Sequence, residues 1–329
     1  MRQARRALLL LGGLLLAAAT GLLLALACGS VAFSLADSLA TLTGGGTELA
    51  RTLILDLRLP RALAAFGAGG LLALAGVLMQ VLLRNPLADP YILGISGGAA
   101  VGALLLILAG AGGILVGGGA FAGALCSTLL VFALAHGRGG WTPTRLLLTG
   151  VVIAAGWGAV ISLLLALGPD RSLRSMLFWL MGDLSYLPPD AAWAALAPLA
   201  ALVLIWPFAR HLNILARGET LAELLGVPVR PFKIAIYLAA SLLTAIAVTL
   251  AGSVGFVGLV VPHMLRLAGG ADHRWVLPGA VFAGGALVMV ADTAARSVLA
   301  PSQLPVGVLL AFIGVPLFLY LLHRARGPL

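Results

Sequence analysis

Ser96, in Gly94-Ile-Ser96-Gly97, and His136, in Ala135-His136-Gly-Arg-Gly139, are the one pair in this chain whose surroundings suggest a nucleophile and its base. A Ser-His dyad of that kind would serve acyl transfer, here in an intramembrane serine protease. Short glycine-framed patterns arise easily, however, in a chain with 43 Gly. Nucleotide hydrolysis is excluded more firmly. A phosphate-cradling loop needs a Gly-rich turn ending in Lys, and the sole lysine, Lys233, follows Val229-Arg230-Pro231-Phe232. Ion-coupled carriers place an ionisable residue near mid-membrane. The eleven acids are Asp37, Glu48, Asp56, Asp89, Asp170, Asp183, Asp190, Glu219, Glu223, Asp272 and Asp292, and all fall in loops or at the ends of apolar runs. That weighs against a secondary transporter. Cys28 and Cys126 lack paired spacing, so neither a metal site nor a disulfide framework is indicated.

The elements that must position these residues are membrane spans. The chain is 61% hydrophobic and 9% charged, with a mean hydropathy of +1.12. An ordinary soluble domain carries about 25% charged residues. A span takes about 20 apolar residues, so 329 residues hold roughly ten spans in one membrane domain, 1–329. Apolar runs fall at 7–27, 59–82, 92–109, 113–135, 146–167, 191–208, 234–251, 254–267, 276–299 and 305–322. The eighth is too short to cross a hydrocarbon core of about 30 Å at about 1.5 Å per residue, and is expected to be a partial helix. Ten spans also exceed the six or seven of rhomboid-type intramembrane proteases, whose G-x-S-G and A-H-x-x-G patterns the Ser96 and His136 segments resemble. The first run is longer than the core of a secretory signal and reads as a retained span.

With the N-terminus inside, that side collects Arg2, Arg5, Arg6, Arg84, Arg138, Arg145, Arg210, Arg217, Arg230, Lys233, Arg266, Arg274, Arg324 and Arg326, fourteen basic residues. The other side collects six: Arg51, Arg58, Arg61, Arg171, Arg174 and Arg296. Cytoplasmic loops accumulate Arg and Lys, which places both termini in the cytoplasm. The net charge of +9 is dispersed between apolar runs and does not form the solvated basic face that nucleic acid needs. Gly94, Gly98 and Gly102 suit close helix packing, while Gly252, Gly255 and Gly258 suggest a broken segment.

Two loops are more than connectors. The outward loop 168–190 carries Leu173, Met176, Leu177 and Leu180 at helical spacing, which predicts an amphipathic helix at the interface. The inward loop 210–233 contains Thr220-Leu-Ala-Glu223, a capping-box pattern opening a short helix that ends near Gly226 and Pro228.

Several segments then line up in order: Arg58-Leu-Pro-Arg61, Gly76-Val-Leu-Met-Gln80, Arg84-Asn-Pro-Leu-Ala-Asp-Pro90 and Gly94-Ile-Ser-Gly-Gly-Ala99. Gly218-Glu219, Leu225-Gly226-Val227, Gly255-Phe-Val-Gly-Leu-Val-Val-Pro-His263 and Ala291-Asp292 with Arg296 continue the pattern. Over nearly its whole length the chain resembles the FecCD permease family. The resemblance implies an all-α polytopic membrane protein of about ten helices, cobalamin-permease-like, working as the translocation subunit of an ATP-driven importer in the bacterial inner membrane. Its substrate would be an iron chelate (haem or an iron-siderophore) or a corrinoid. It further implies a homodimer with a second copy of the chain, two ATP-binding subunits that carry ATP and Mg, and a periplasmic solute-binding protein. No cofactor or metal is implied in this chain. By resemblance Arg58, Arg61 and Arg296 dock the binding protein. Arg217, Gly218, Glu219, Leu221, Ala222, Leu225 and Gly226 form the ATPase-coupling segment, and Asn85, Leu87 and Thr144 the cytoplasmic gate. Pro143 departs from the pattern, since a hydroxyl residue is common there.

Overall fold

The computed structural model describes residues 2–29, 31, 33–135, 142–185 and 191–324. His136, Arg138, Asp190 and Arg326 lie outside the described residues. Lipid offers backbone groups no partners, so the apolar runs satisfy their own N–H and C=O groups as helices. Among the described residues no strand occurs.

The helices are α1 (Arg2–Ala27), α2 (Leu35–Leu42), α3 (Glu48–Arg51), α4 (Leu59–Leu82), α5 (Ile95–Leu108), α6 (Gly113–Ala135), α7 (Pro143–Leu167), α8 (Asp170–Met181), α9 (Leu196–Ile205), α10 (Ala209–Leu215), α11 (Glu219–Leu224), α12 (Val229–Ala251), α13 (Val257–Gly269), α14 (His273–Ser297) and α15 (Val306–Arg324). Among the described residues, seven helical segments are long and apolar enough to span a membrane, and α5, α13 and α15 are shorter apolar helices, so the ten predicted runs all have helical counterparts. The protein is thus a multi-pass, all-helical membrane protein.

Several boundaries move. The second span begins before Leu59, because a π-helical stretch, Thr52–Arg58, runs directly into α4. The sixth does not stop at Phe208: a 3-10 turn, Trp206–Phe208, admits Pro207 and passes into α10, so Arg210–Leu215 are helical and the inward loop is shorter than 210–233. The capping box is also corrected. α11 begins at Glu219 after Gly218, whose φ is 129°, and Thr220 makes no cap. One segment between the first two spans was not anticipated, α2, although its signal is present: Ser34 accepts from Asp37 N three residues on.

α4 is the central helix, packed against α14, α12, α13 and α1, while α5 packs on α6. At Gly98 and Gly102 a Cβ would lie 2.4 and 2.1 Å from the carbonyl oxygens of Gly123 and Gly119, so these glycines permit the α5–α6 contact. Gly94 serves differently. Its φ of 71° forms the left-handed turn that opens α5. The expected break appears between α12 and α13, where Gly252 (φ 66°) and Phe256 (φ 69°) bracket non-helical backbone. The predicted amphipathic helix is α8, with Met176 buried, Leu173 and Leu180 half-buried and Leu177 exposed.

Candidate functional sites at the two membrane faces

The first cluster lies at the face reached by the start of the second span and the end of α14. Asp292 sits one helical turn before Arg296 on α14, and Arg61 in the first turn of α4 reaches the same carboxylate. Arg61 Nη2 donates to Asp292 Oδ1 at 2.8 Å and Arg61 Nε to Oδ2 at 2.9 Å, a two-pronged pair. Arg61 Nη1 continues to Gln303 Oε1 (3.0 Å) and Ser185 Oγ (3.2 Å). Arg296 Nε stands 3.8 Å from Asp292 Oδ2, and its Nη2 donates to Ala25 O. Arg58 Nη1 donates to Leu26 O (2.6 Å) and Ala27 O (3.1 Å), its Nη2 to Val31 O, and its guanidinium lies 5.1 Å from the Phe33 ring centroid.

The three arginines named from the sequence therefore converge, but as members of an internal network and not as free forks. Arg58 and Arg296 are buried, and only Arg61 keeps a modest 14% of its side-chain surface exposed. Sequence reading missed Asp292 as the anchor shared by Arg61 and Arg296. Its signal was the Asp292–Arg296 spacing on one helical face.

The opposite face carries the second cluster. Glu219, first residue of α11, accepts two bonds from Lys233 Nζ at 2.9 and 3.0 Å, and Arg84 Nη2 lies 4.0 Å away. This pins α11 to the start of α12. Ala222 is buried beneath it, whereas Leu221, Leu224 and Leu225 are 39, 79 and 59% exposed. Gly226, with φ 79°, turns the chain away from α11.

Thr144 lines a cleft of about 510 Å³ together with Arg84, Pro143, Arg217 and Gly218, so the structure brings one residue of the expected gate beside the expected coupling segment. Asn85 lines a neighbouring cavity. Its Oδ1 accepts from Leu87 N at 2.9 Å, making it a turn residue in this structure, and Leu87 lines neither space. Pro143 has a structural reason: it is the first residue of α7, with Thr142 as the cap accepting from Arg145 N.

Beside this turn Asp89 caps a 3-10 turn, Pro90–Leu93, by accepting from Tyr91 N at 2.8 Å. Asp89 keeps partial exposure, yet the protein crowded round its carboxyl outweighs that bond and pushes its pKa up to about 6. Burial likewise raises Tyr91, whose Oη accepts from Val254 N in the broken segment. Ser96 Oγ is 2.9 Å from Ser253 Oγ, and its proposed dyad partner His136 lies outside the described residues.

Comparison with known proteins bears on this arrangement. The model of the FecCD transport family matches residues 14–324. The hemin transport system permease protein HmuU of Yersinia pestis is 42% identical over 283 residues, covering 83% of each chain. The vitamin B12 import system permease protein BtuC of Shigella boydii is 38% identical over 328 residues, covering 99% of this chain and 97% of the relative. A solved inward-facing conformation of a metal-chelate type ABC transporter superposes with a TM-score of 0.84 at 29% identity, over 97% of this chain and 99% of that one.

Proposed function

This chain belongs to the FecCD transport family, and on that premise we propose that it is the translocation subunit of a binding-protein-dependent ABC importer. The imported solute is an iron chelate, haem or a corrinoid. The observation that carries this reading is α11: a short helix outside the spans that is anchored through Glu219–Lys233 and Ala222 yet presents Leu221, Leu224 and Leu225 to solvent. Exposed leucines on an anchored helix suit insertion into a groove of a partner. That partner is an ATP-binding subunit, since this chain has no Walker lysine of its own.

On this reading the N-terminus, α11 and Thr144 face the cytoplasm of a bacterial inner-membrane protein, and two copies enclose the pathway. The Arg58–Arg61–Arg296 cluster faces the periplasm and receives the solute-binding protein, chiefly through Arg61, with Arg58 and Arg296 shaping the rim. Arg217 and Gly218 couple nucleotide turnover to the cleft at Thr144, and Asn85 and Leu87 shape the turn above it.

Reconstitution tests the proposal. Liposomes holding this chain, its ATP-binding subunit and its solute-binding protein are expected to accumulate haem, an iron-siderophore or a corrinoid only with internal ATP. Uptake driven by a proton or sodium gradient without ATP would overturn it in favour of a secondary transporter. Covalent labelling of Ser96 by a fluorophosphonate probe would favour the protease reading instead.

A further inference from the structure

The turn that closes α4 holds an arginine where a glycine is usual. Asn85 N donates to Gln80 O at 3.2 Å and Arg84 N to Val81 O at 3.3 Å. This crossed pair of bonds ends a helix around one left-handed residue, commonly glycine and sometimes asparagine. Here that residue is Arg84, with φ 48°. Among the described residues the other non-glycine at positive φ is Phe256, in a chain with 43 glycines. A β-carbon in this conformation crowds the carbonyl oxygen that follows it and works against the fold. Such strain persists where the rest of the structure makes use of the side chain.

Stability is not that use. Arg84 Nη2 stands 4.0 Å from Glu219 Oε1, with the two side chains 45 and 31% exposed, and an ion pair so long and so exposed adds little to stability. Position is what the pair supplies. Glu219, the first residue of α11, is held independently by Lys233 of α12, whose Nζ donates to the same Oε1 at 2.9 Å. Arg84 therefore reaches from the end of α4 to a fixed carboxylate at the start of α11. The residues after it form a braced turn: Asn85 Oδ1 accepts from Leu87 N at 2.9 Å and Asn85 O from Ala88 N at 3.1 Å, with Pro86 between them. A turn so braced moves as one piece. Arg84 also lines the cleft at Thr144.

We propose that Arg84 is a positioning residue that ties the turn 84–88, and the cleft beside it, to α11 through Glu219. On the reading that α11 is seated in an ATP-binding subunit, a displacement of α11 passes through this pair to the turn. The tie itself belongs to the chain alone and is tested apart from that reading.

Hydrogen exchange of the full chain in phosphatidylcholine nanodiscs is the first arm. Arg84→Asn removes the guanidinium and leaves a residue that accepts the left-handed turn, while Glu219→Gln removes the charge at the other end. Each is expected to raise amide exchange in a peptide covering 84–88 about threefold, and the double variant no further, because both cut one link. Arg84→Lys keeps a cation and is expected to exchange as the parent does. The unfolding midpoint of Arg84→Asn is expected to stay level or rise, whereas loss of a merely structural contact would lower it. Unchanged exchange in both single variants, a double variant whose increase is the product of the two, or a lowered midpoint in Arg84→Asn overturns the proposal. In the second arm the chain is assembled with its ATP-binding and solute-binding subunits in liposomes and supplied with internal ATP and haemin, ferrichrome or cyanocobalamin. Arg84→Asn is expected to cut uptake per ATP hydrolysed about fivefold while hydrolysis continues, and an unchanged ratio overturns the transmitting role. Failure of the parent complex to accumulate any of the three solutes refutes the importer reading, and the exchange arm still decides the tie.

Discussion

At the scale of single residues, Asp292 is the one side chain that holds the two partners Arg61 and Arg296 at a membrane face. It is 2% exposed, and removing one member of a buried ion pair leaves the other charge uncompensated, at about 3–5 kcal/mol. Asp292→Asn is therefore expected to lower the thermal unfolding midpoint more than Arg61→Ala, whose side chain is partly exposed; fluorescence-detected size exclusion after heating measures both. The sequence places Arg58, Arg61 and Arg296 on one face, which was legible from span alternation. The anchor that Arg61 shares with Arg296 was not, because it depends on α4 packing against α14, and no local pattern encodes a contact between residues 61 and 292. Asp89 supports a second test. An acid whose folded pKa, about 6, lies above its unfolded value of about 3.9 stabilises the fold below the unfolded value and loses that contribution as pH rises through the folded one. Stability should thus fall between about pH 4 and 6. Asp89→Asn, which can still accept from Tyr91 N, is expected to flatten that slope in a thermal-shift pH series.

The elements show which signals survive translation from sequence to structure. Span existence was legible because periodicity and length are local, and the break near Gly252 was legible because glycines mark it. Boundaries were less so. Pro207 reads as a terminator, yet a 3-10 turn tolerates it and α10 continues. Glu223 reads as the far end of a capping box, yet Glu219 is the residue that matters, because Lys233 on α12 binds it. The prediction at this scale concerns α11. Leu224 and Leu225 are exposed, so Leu224→Asp with Leu225→Asp should leave the unfolding midpoint nearly unchanged, as surface substitutions usually stay within about 0.5 kcal/mol. Co-purification of the ATP-binding subunit and ATP-driven uptake should both be lost. Normal co-purification of the double variant would remove α11 from the coupling role.

For the whole molecule, the question is why one long apolar helix buries so few of its residues. Only 6% of the most apolar window of α7 is buried, against 89% for the span containing α4. Lipid exposure alone accounts for a leucine-rich face such as Leu148, Leu163 and Leu167. It does not account for Gly156 and Gly158, where an added Cβ would meet nothing within 4 Å. Glycine in a span weakens the helix unless close approach of another backbone uses it. A second copy of this chain laid along α7 would use it, and would enclose a pathway between two such helices. Single cysteines at each position from 148 to 163, in a background with Cys28 and Cys126 replaced, should then form inter-subunit disulfides on a stripe repeating about every 3.6 residues through Gly156. Cross-linking should be sensitive to ATP if the two helices line a pathway whose width changes with turnover. Uniform absence of cross-links along α7, with the assembly intact, would turn this helix to the lipid and place the subunit contact elsewhere.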